Sequence, residues 1–193
     1  MRITIILLFT FLLGGCSMKE APVMKTYTLV VPNISPLSSG SYRNKVLKVS
    51  YPLTLKEKLN DKMYYSYSLS DRGAYMNSRW SNNVGKLLQG SMISVLTQSR
   101  LFKVVLPFSS DVEEGLRIES SIFDFSHHVR GDASYAIISI QYTLMNSENG
   151  KLIKTKRFSY KEYTTTTDAK GYVEATNRIM SRLSRDLVVW LRQ

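Results

Sequence analysis

The strongest constraint on the fold is an apolar stripe at helical spacing near the end of the chain. Between Tyr172 and Leu191 the apolar residues recur every three or four positions, and Asp168 stands where a helix N-cap is expected. A helix of this kind buries only one face, so it needs a second layer of secondary structure to pack on. The stripe therefore predicts a helix that forms one layer of a larger domain.

A second segment, 78–99, has the same spacing and predicts another amphipathic helix. Asn77 or Ser78 is expected to cap it, because both side chains can accept a hydrogen bond from the first helical turn. Trp80 is expected on the apolar stripe of this helix. Trp80 and Leu183 are then expected to face the same sheet from two different helices.

Most of the remaining segments alternate apolar and polar residues, which is typical of half-buried strands. The predicted strands are 46–51, 63–69, 116–125, 136–144 and 152–163, together with an apolar strand at 101–106. Asn149-Gly150 predicts a tight reversal between the last two strands. The fold class is therefore expected to be α+β, with a mostly antiparallel sheet of about five to seven strands and two long amphipathic helices packed on one face.

The first 15 residues have the form of a lipoprotein signal peptide. Arg2 supplies a positive charge, an apolar stretch follows, and Gly14 and Gly15 precede Cys16, the only cysteine of the chain. The stretch is too short to span a membrane, which takes about 20 apolar residues. Residues 13–16 resemble the bacterial lipobox. We therefore expect cleavage before Cys16 and lipidation of Cys16, with acyl chains such as palmitate.

The segment after the cysteine separates the anchor from the folded domain. Ser17, rather than aspartate, follows Cys16, a pattern that in enteric lipoproteins goes with transfer to the outer membrane. Residues 16–44 contain three prolines and a run of serines and glycine, which predicts a flexible tether, and 27–31 within it has the character of an edge strand. Residues 45–193 are expected to form a single α+β domain.

The chain is strongly basic, with 26 lysines and arginines against 15 acids and a formal charge of +11. This charge favours an anionic partner, and a periplasmic location argues against nucleic acid. Anionic lipid headgroups, lipopolysaccharide, peptidoglycan and an acidic protein all remain open, as does a basic surface without a partner. Candidate steering residues are Arg178, Arg182 and Arg185 of the last helix, and Lys151, Lys154, Lys156 and Arg157 of the hairpin.

No set of residues indicates catalysis, cofactor binding or metal binding. The chain has no glycine-rich phosphate loop, no Gly-x-Ser-x-Gly elbow and no zinc-site spacing of Cys and His. His127 and His128 would point to opposite faces of a strand and could not bind one ion there. We expect them at a strand end or in a loop, close to Asp124, and Glu113-Glu114 in a solvated turn. The protein is therefore predicted not to be an enzyme.

A series of motifs follows the lipobox along the chain, including a tyrosine-rich strand at 63–69. The others are Tyr27-Thr28-Leu29, Leu47–Pro52, Asn77–Trp80, Ile122–Phe125 and Gly171-Tyr172. This series resembles the ABC-type transport auxiliary lipoprotein family, whose best-known members work with the Pqi system. The resemblance extends over about residues 27–191.

The resemblance implies a non-enzymatic partner of lipid transport systems that combine an inner-membrane ABC transporter with an MCE-domain protein. The chain would be the outer-membrane-anchored docking component of a phospholipid transport system, facing the periplasm. An MCE-domain protein would be its partner, and a homo-oligomer is compatible with this role. Two other classes stay open: a lipopolysaccharide-assembly lipoprotein that partners an outer-membrane barrel, and a lipoprotein that activates a peptidoglycan synthase.

Overall fold

The computed structural model describes residues 22–54, 60–68 and 70–193, and these ranges contain eight strands and two helices. The strands are β1 (Lys25–Tyr27), β2 (Val46–Val49), β3 (Lys62–Ser66), β4 (Arg72–Trp80), β5 (Val104–Pro107), β6 (Leu116–Arg130), β7 (Ala133–Asn146) and β8 (Leu152–Tyr163). The helices are α1 (Val84–Ser99) and α2 (Ala169–Arg192). The predicted α+β class is confirmed, although these ranges hold more strands than expected. The end of the predicted strand 63–69, Leu69, lies outside them.

The two helices differ in how well their starts were predicted. Asp168 caps α2 as expected, since its Oδ1 accepts a hydrogen bond from the Gly171 backbone N–H at 2.9 Å. The cap of α1 is Asn83, whose Oδ1 accepts from the Lys86 backbone N–H at 2.9 Å. The predicted cap at Asn77 or Ser78 is therefore wrong, because both residues belong to β4.

Trp80 ends the strand β4 and is not part of a helix. It precedes Val84 by four residues, so its spacing from α1 mimics a helical stripe although the chain is extended there. The expectation that Trp80 lies in the core is confirmed, because only 1% of its surface is exposed. Its ring packs edge-on against Phe125 of β6 and Tyr172 of α2, with centroid distances of 5.8 and 5.7 Å.

The sheet is mixed, and the predicted mostly antiparallel arrangement is wrong. In the described ranges β1–β4, β2–β5, β2–β6 and β3–β6 are parallel pairs, whereas β3–β4, β6–β7 and β7–β8 are antiparallel. An alternating pattern shows which side chains of a strand are buried, but it does not show the direction of the neighbouring strand. Only strands joined by tight turns have to run antiparallel.

The longest strand, β6, connects the two parts of the sheet. It has 15 residues and pairs with β7 along its length. Its other edge pairs with β2 through 116–118 and with β3 through His127 and His128. A bulge at Phe123 separates these two ends. The strands therefore follow the order β1–β4–β3–β6–β7–β8, while β2 and β5 adjoin the other end of β6.

The hairpins of β6, β7 and β8 are closed by glycines with positive φ. Gly150, in the turn predicted at Asn149-Gly150, has a φ of 69°, and Gly131 between β6 and β7 has a φ of 57°. The strand β8 has the predicted bounds, whereas β6 and β7 run several residues further than predicted. The extra residues of β6 include both histidines.

Both helices pack on one face of the sheet, as expected. Met92 of α1 and Leu183 of α2 meet at Tyr142 of β7. Further along, Phe158 of β8 packs edge-on against Trp190 of α2, with a centroid distance of 6.0 Å. All five side chains are buried, so they form one continuous core between the sheet and the helical layer.

Residues 28–44, which we call the strap, cross both helices. The Val30 backbone N–H donates to Asn177 Oδ1 of α2 at 2.9 Å, and Leu37 N–H donates to the Ser99 carbonyl of α1 at 2.9 Å. Leu29 is buried, and Tyr42 stacks on Phe102. The strap is thus packed on the domain, unlike the flexible tether that its composition favours. The edge strand expected at 27–31 lies at 25–27, as β1.

We predict that Trp80→Ala lowers the free energy of unfolding by about 3–5 kcal/mol, the usual cost of emptying a large core site. The measurement is urea unfolding of protein produced without residues 1–16. Met76→Ala is the matched control on the same strand, because Met76 is 86% exposed and should change stability by less than about 0.5 kcal/mol. Equal stabilities for the two variants would contradict the role of Trp80.

Candidate functional site

The predicted lipid-attachment residue, Cys16, lies outside the described residues together with the rest of 1–21. Cleavage before Cys16 and its lipidation therefore remain predictions. Within the described ranges, no helix is both long enough and apolar enough to cross a bilayer. In the same ranges, no three Cys, His, Asp or Glu side chains come together as a metal site would require.

The sheet surface opposite the helices, which we call the open face, carries the polar side chains of β6, β7 and β8. On these strands they alternate with core residues, so that Gln141 and Arg157 are paired next to the buried pair Ile140 and Phe158. The most prominent residues of the open face are Phe123, Asp124, Ser126 and His128 of β6, Tyr135 of β7, and Arg157, Lys161 and Tyr163 of β8.

A hollow of about 380 Å³ lies on the open face between β3, β4 and β6. It holds a short chain of hydrogen bonds: Ser126 Oγ donates to Asp124 Oδ1 at 2.5 Å and lies 3.0 Å from His128 Nε2. Tyr64, Ser66 and Arg72 add to the polar lining, and Phe123 contributes an aromatic wall. The hollow therefore offers several hydrogen-bonding groups to a polar ligand.

The hydrogen bonds of the Asp124–Ser126–His128 group do not run in the direction that a catalytic triad requires. Burial lowers the pKa of His128; the Asp124 carboxylate opposes this and Arg130 adds to it. In the observed geometry the serine hydroxyl gives its hydrogen to the carboxylate. A nucleophilic serine would instead give it to the imidazole.

His127 points to the opposite side of β6, as expected for adjacent residues on a strand. It lies within β6 and not at a strand end or in a loop, so that part of the prediction is wrong. Its ring is fully buried and stacks on Tyr172 with a centroid distance of 5.1 Å, while Nδ1 lies 2.7 Å from Tyr75 Oη. Burial lowers the pKa of His127 to about 4, and the neighbouring His128 acts in the same direction.

The paired acids Glu113 and Glu114 differ in their surroundings. Glu113 is exposed, but the side chain of Glu114 is only 11% exposed and accepts hydrogen bonds from the Arg117 guanidinium. The prediction of a solvated turn is therefore wrong for Glu114. Its ion pair with Arg117 fixes the start of β6 beside the loop.

Several of the cations proposed to steer a partner are instead used within the domain. Arg178 and Arg182 of α2 both donate to the carboxylate of Glu162 on β8, at 2.8 and 2.7 Å. Although burial alone would raise the pKa of Glu162, these two arginines hold it below its usual range. Lys154 Nζ donates to the carbonyls of Trp190 and Leu191, at 3.0 and 3.3 Å. These contacts fasten β8 to the last helix.

Other cations of β8 lie on aromatic rings of the open face. The Arg157 guanidinium is 4.1 Å from the centroid of Phe123, and Lys161 Nζ is 3.8 Å from that of Tyr135 and 4.9 Å from that of Tyr163. We call these five residues the cation–aromatic row. Only Arg157 was a sequence candidate, although Lys161 shares its face four positions further along the strand.

Comparison with known families identifies the chain. The family model for the ABC-type transport auxiliary lipoprotein component matches residues 27–188. The chain belongs to this family. The match runs from the last residue of β1 into α2 and includes the strap, so the strap is part of the family's domain. No curated protein sequence matches the chain significantly.

Solved structures share this fold at low sequence identity. Protein XCC0632 from Xanthomonas campestris is 15% identical with a TM-score of 0.77, and the alignment covers 87% of this chain and 95% of that one. A PelC dodecamer from Paraburkholderia phytofirmans is 9% identical with a TM-score of 0.51, covering 80% of this chain and 95% of that one. At these identities the likeness shows a common fold alone.

We predict that burial of His127 makes the fold sensitive to acid. Its pKa is about 4 when folded and about 6.5 when unfolded, so between these values the unfolded state binds more protons. This contribution to stability is lost as pH falls from about 6.5 to about 4. When the pH is lowered from 7 to 4.5, the free energy of unfolding of wild type should fall by roughly 2 kcal/mol more than that of His127→Asn, as measured by urea unfolding. Equal decreases for wild type and His127→Asn would contradict the prediction. His128→Asn is the control variant, because it removes the neighbouring, more exposed histidine.

Proposed function

We propose that this family member is a non-catalytic docking component of an MCE-associated phospholipid transport system between the two membranes of the envelope. The cation–aromatic row is the observation that carries this proposal. Arg157 and Lys161 present charge on a rigid sheet, while Phe123, Tyr135 and Tyr163 supply contact area beneath them. Aromatic and arginine side chains are the usual energetic centres of protein interfaces.

The partner best suited to the row is an acidic surface of an MCE-domain protein. Unlike Arg178 and Arg182, neither Arg157 nor Lys161 forms an ion pair within 4 Å among the described residues. A charge that is not already neutralised can steer an oppositely charged partner toward the correct face. The row is therefore the part of the basic surface best placed to set specificity.

The proposed location is the outer membrane, with the domain in the periplasm. The signal-like segment that ends at Cys16 supports lipid attachment, and Ser17 supports transfer to the outer membrane. Several acyl chains would make the attachment effectively permanent. A homo-oligomer is part of this proposal, since PelC, which shares the fold, assembles as a dodecamer.

We predict that Cys16→Ala releases the protein from membranes. Without acyl chains the attachment loses about 0.8 kcal/mol for each buried methylene, and the described helices offer no membrane span. The measurement is fractionation of tagged protein from cells. A variant that remains in the detergent-extracted membrane fraction with its signal removed would contradict lipid as the main attachment.

The measurement is a pull-down of the MCE-domain protein with this protein as bait. We predict that the double variant Arg157→Glu, Lys161→Glu retains the MCE-domain protein about tenfold less well, or worse, than wild type at 0.1 M salt. Retention by wild type should also fall at 1 M salt, where the Debye length shrinks from about 10 to about 3 Å. The matched control is Lys86→Glu with Arg185→Glu, which makes the same charge change on the exposed side of the helices.

The docking experiment separates the proposed function from its competitors. Equal weakening by the two double variants would show that net charge matters and the row does not. Retention of a lipopolysaccharide-transport barrel or a peptidoglycan synthase, with no retention of the MCE-domain protein, would overturn the transport role.

A further inference from the structure

One edge of the sheet combines exposed apolar side chains with cations. Val23, Met24 and Met76 are 83%, 47% and 86% exposed, although all three are apolar. Lys62 and Arg79 are exposed on one face of the strands, and both methionines lie in the same shallow hollow as these two residues. Lys25, which pairs with Ser78, is exposed on the other face of the same edge. We call these six residues the β1 edge.

Met76 protrudes because β4 carries an irregularity at this point. Lys62 of β3 pairs with Arg79 of β4, and Tyr64 pairs with Ala74. The two pairs are therefore two residues apart on β3 but five residues apart on β4. The additional residues of β4 form a bulge, and bulges re-aim side chains out of the sheet. A flexible, apolar methionine is thereby held in solvent, where it gains nothing from the core of its own domain.

The β1 edge is positively charged. Asp61 is the acid that lines the same hollow, and its Oδ2 lies 3.7 Å from Arg79 Nη1. Lys62 adds a further positive charge, and Lys25 adds another that lies near enough to Asp168 to help lower the pKa of that carboxyl. Apolar side chains among cations are the composition that binds the surface of an anionic bilayer.

The length of chain between the proposed anchor and the domain limits what can touch the membrane. From Cys16 to Pro22, the first described residue, there are six peptide steps, which span at most about 20 Å in any conformation. A domain of this size is roughly 40 Å across. The far side of the domain therefore cannot approach a membrane that holds Cys16.

We propose that the β1 edge rests on the anionic phospholipid surface in which Cys16 is anchored, with Met24 and Met76 entering the headgroup region. This inference depends on the lipid anchor of the proposed function. Lys25, Lys62 and Arg79 contact lipid phosphates, and the anchor and the edge together fix the orientation of the domain.

The strand order gives this orientation a consequence for docking. The edge strands β1 and β8 are five strand steps apart, which is about 24 Å at the usual spacing. With β1 at the membrane, β8 is the strand of this order that lies furthest from it, and Arg157 and Lys161 lie on β8. The open face that carries the cation–aromatic row then stays accessible to partners in the periplasm.

Site-directed fluorescence on the full lipoprotein tests the orientation. Cysteine is introduced by Met76→Cys, Leu152→Cys or Val189→Cys and labelled with a small fluorophore, since the thiol of Cys16 would be blocked by lipid. Leu152 of β8 and Val189 of α2 are exposed controls away from the edge, 61% and 55% accessible. The proteins are reconstituted in phosphatidylethanolamine–phosphatidylglycerol vesicles that contain a headgroup-labelled nitroxide quencher.

Quenching at position 76 is expected to exceed quenching at 152 and 189 at least threefold. In the Met76→Cys background, Lys25→Glu with Lys62→Glu should reduce this difference, whereas Lys86→Glu with Arg185→Glu should preserve it. Equal quenching at the three positions, or stronger quenching at 152 or 189, would overturn the orientation while the anchor stands. Protein that fails to float with the vesicles would overturn the anchor and the orientation together.

Discussion

The architecture depends on β6 being paired along both of its edges. Because this strand has 15 residues, it can hold β7 on one edge and both β2 and β3 on the other. Without it, β2 with β5 would be a two-stranded pair, which is at best marginally stable by itself, and β1, β4 and β3 would form a separate three-stranded sheet. The bulge at Phe123 lies between these groups and changes which side chains face the helices, so that Phe125 is buried and Phe123 is exposed. The same bulge therefore places Phe125 in the core and Phe123 on the open face.

The sequence predicted most accurately those helices and strands that are defined by their own residues, such as a cap, an apolar stripe or a turn. The cap at Asp168, the stripe of α2 and the turn at Gly150 gave α2 and β8 close to their observed bounds. The strand β4 was missed because Trp80 precedes Val84 by four residues, about one helical turn, and so was assigned to the following helix. The direction of β2 and β3 relative to β6 could not be predicted, since β6 meets these strands only after a long stretch of intervening chain. That information lies in tertiary contacts, which a periodic pattern does not contain.

The charge of the chain predicted a basic surface but not which cations remain available on it. Arg178 and Arg182 are paired with Glu162, and Lys154 is hydrogen-bonded to helix carbonyls, through contacts between residues far apart in the sequence. Arg157 and Lys161 instead lie over aromatic rings. The distinction requires knowing that β8 has one face toward α2 and the other toward solvent.

The strap has a mechanical consequence if the chain is anchored at Cys16, as we propose. A load applied between the anchor and the far edge of the sheet would first reach β1, whose ladder with β4 is only three residues long. Beyond it the same load would meet the strap, which is hydrogen-bonded to α2 at Asn177 and to α1 at Ser99. Peeling of β1 would therefore be arrested at the helical layer, so the edge strand can yield under tension while the core remains closed.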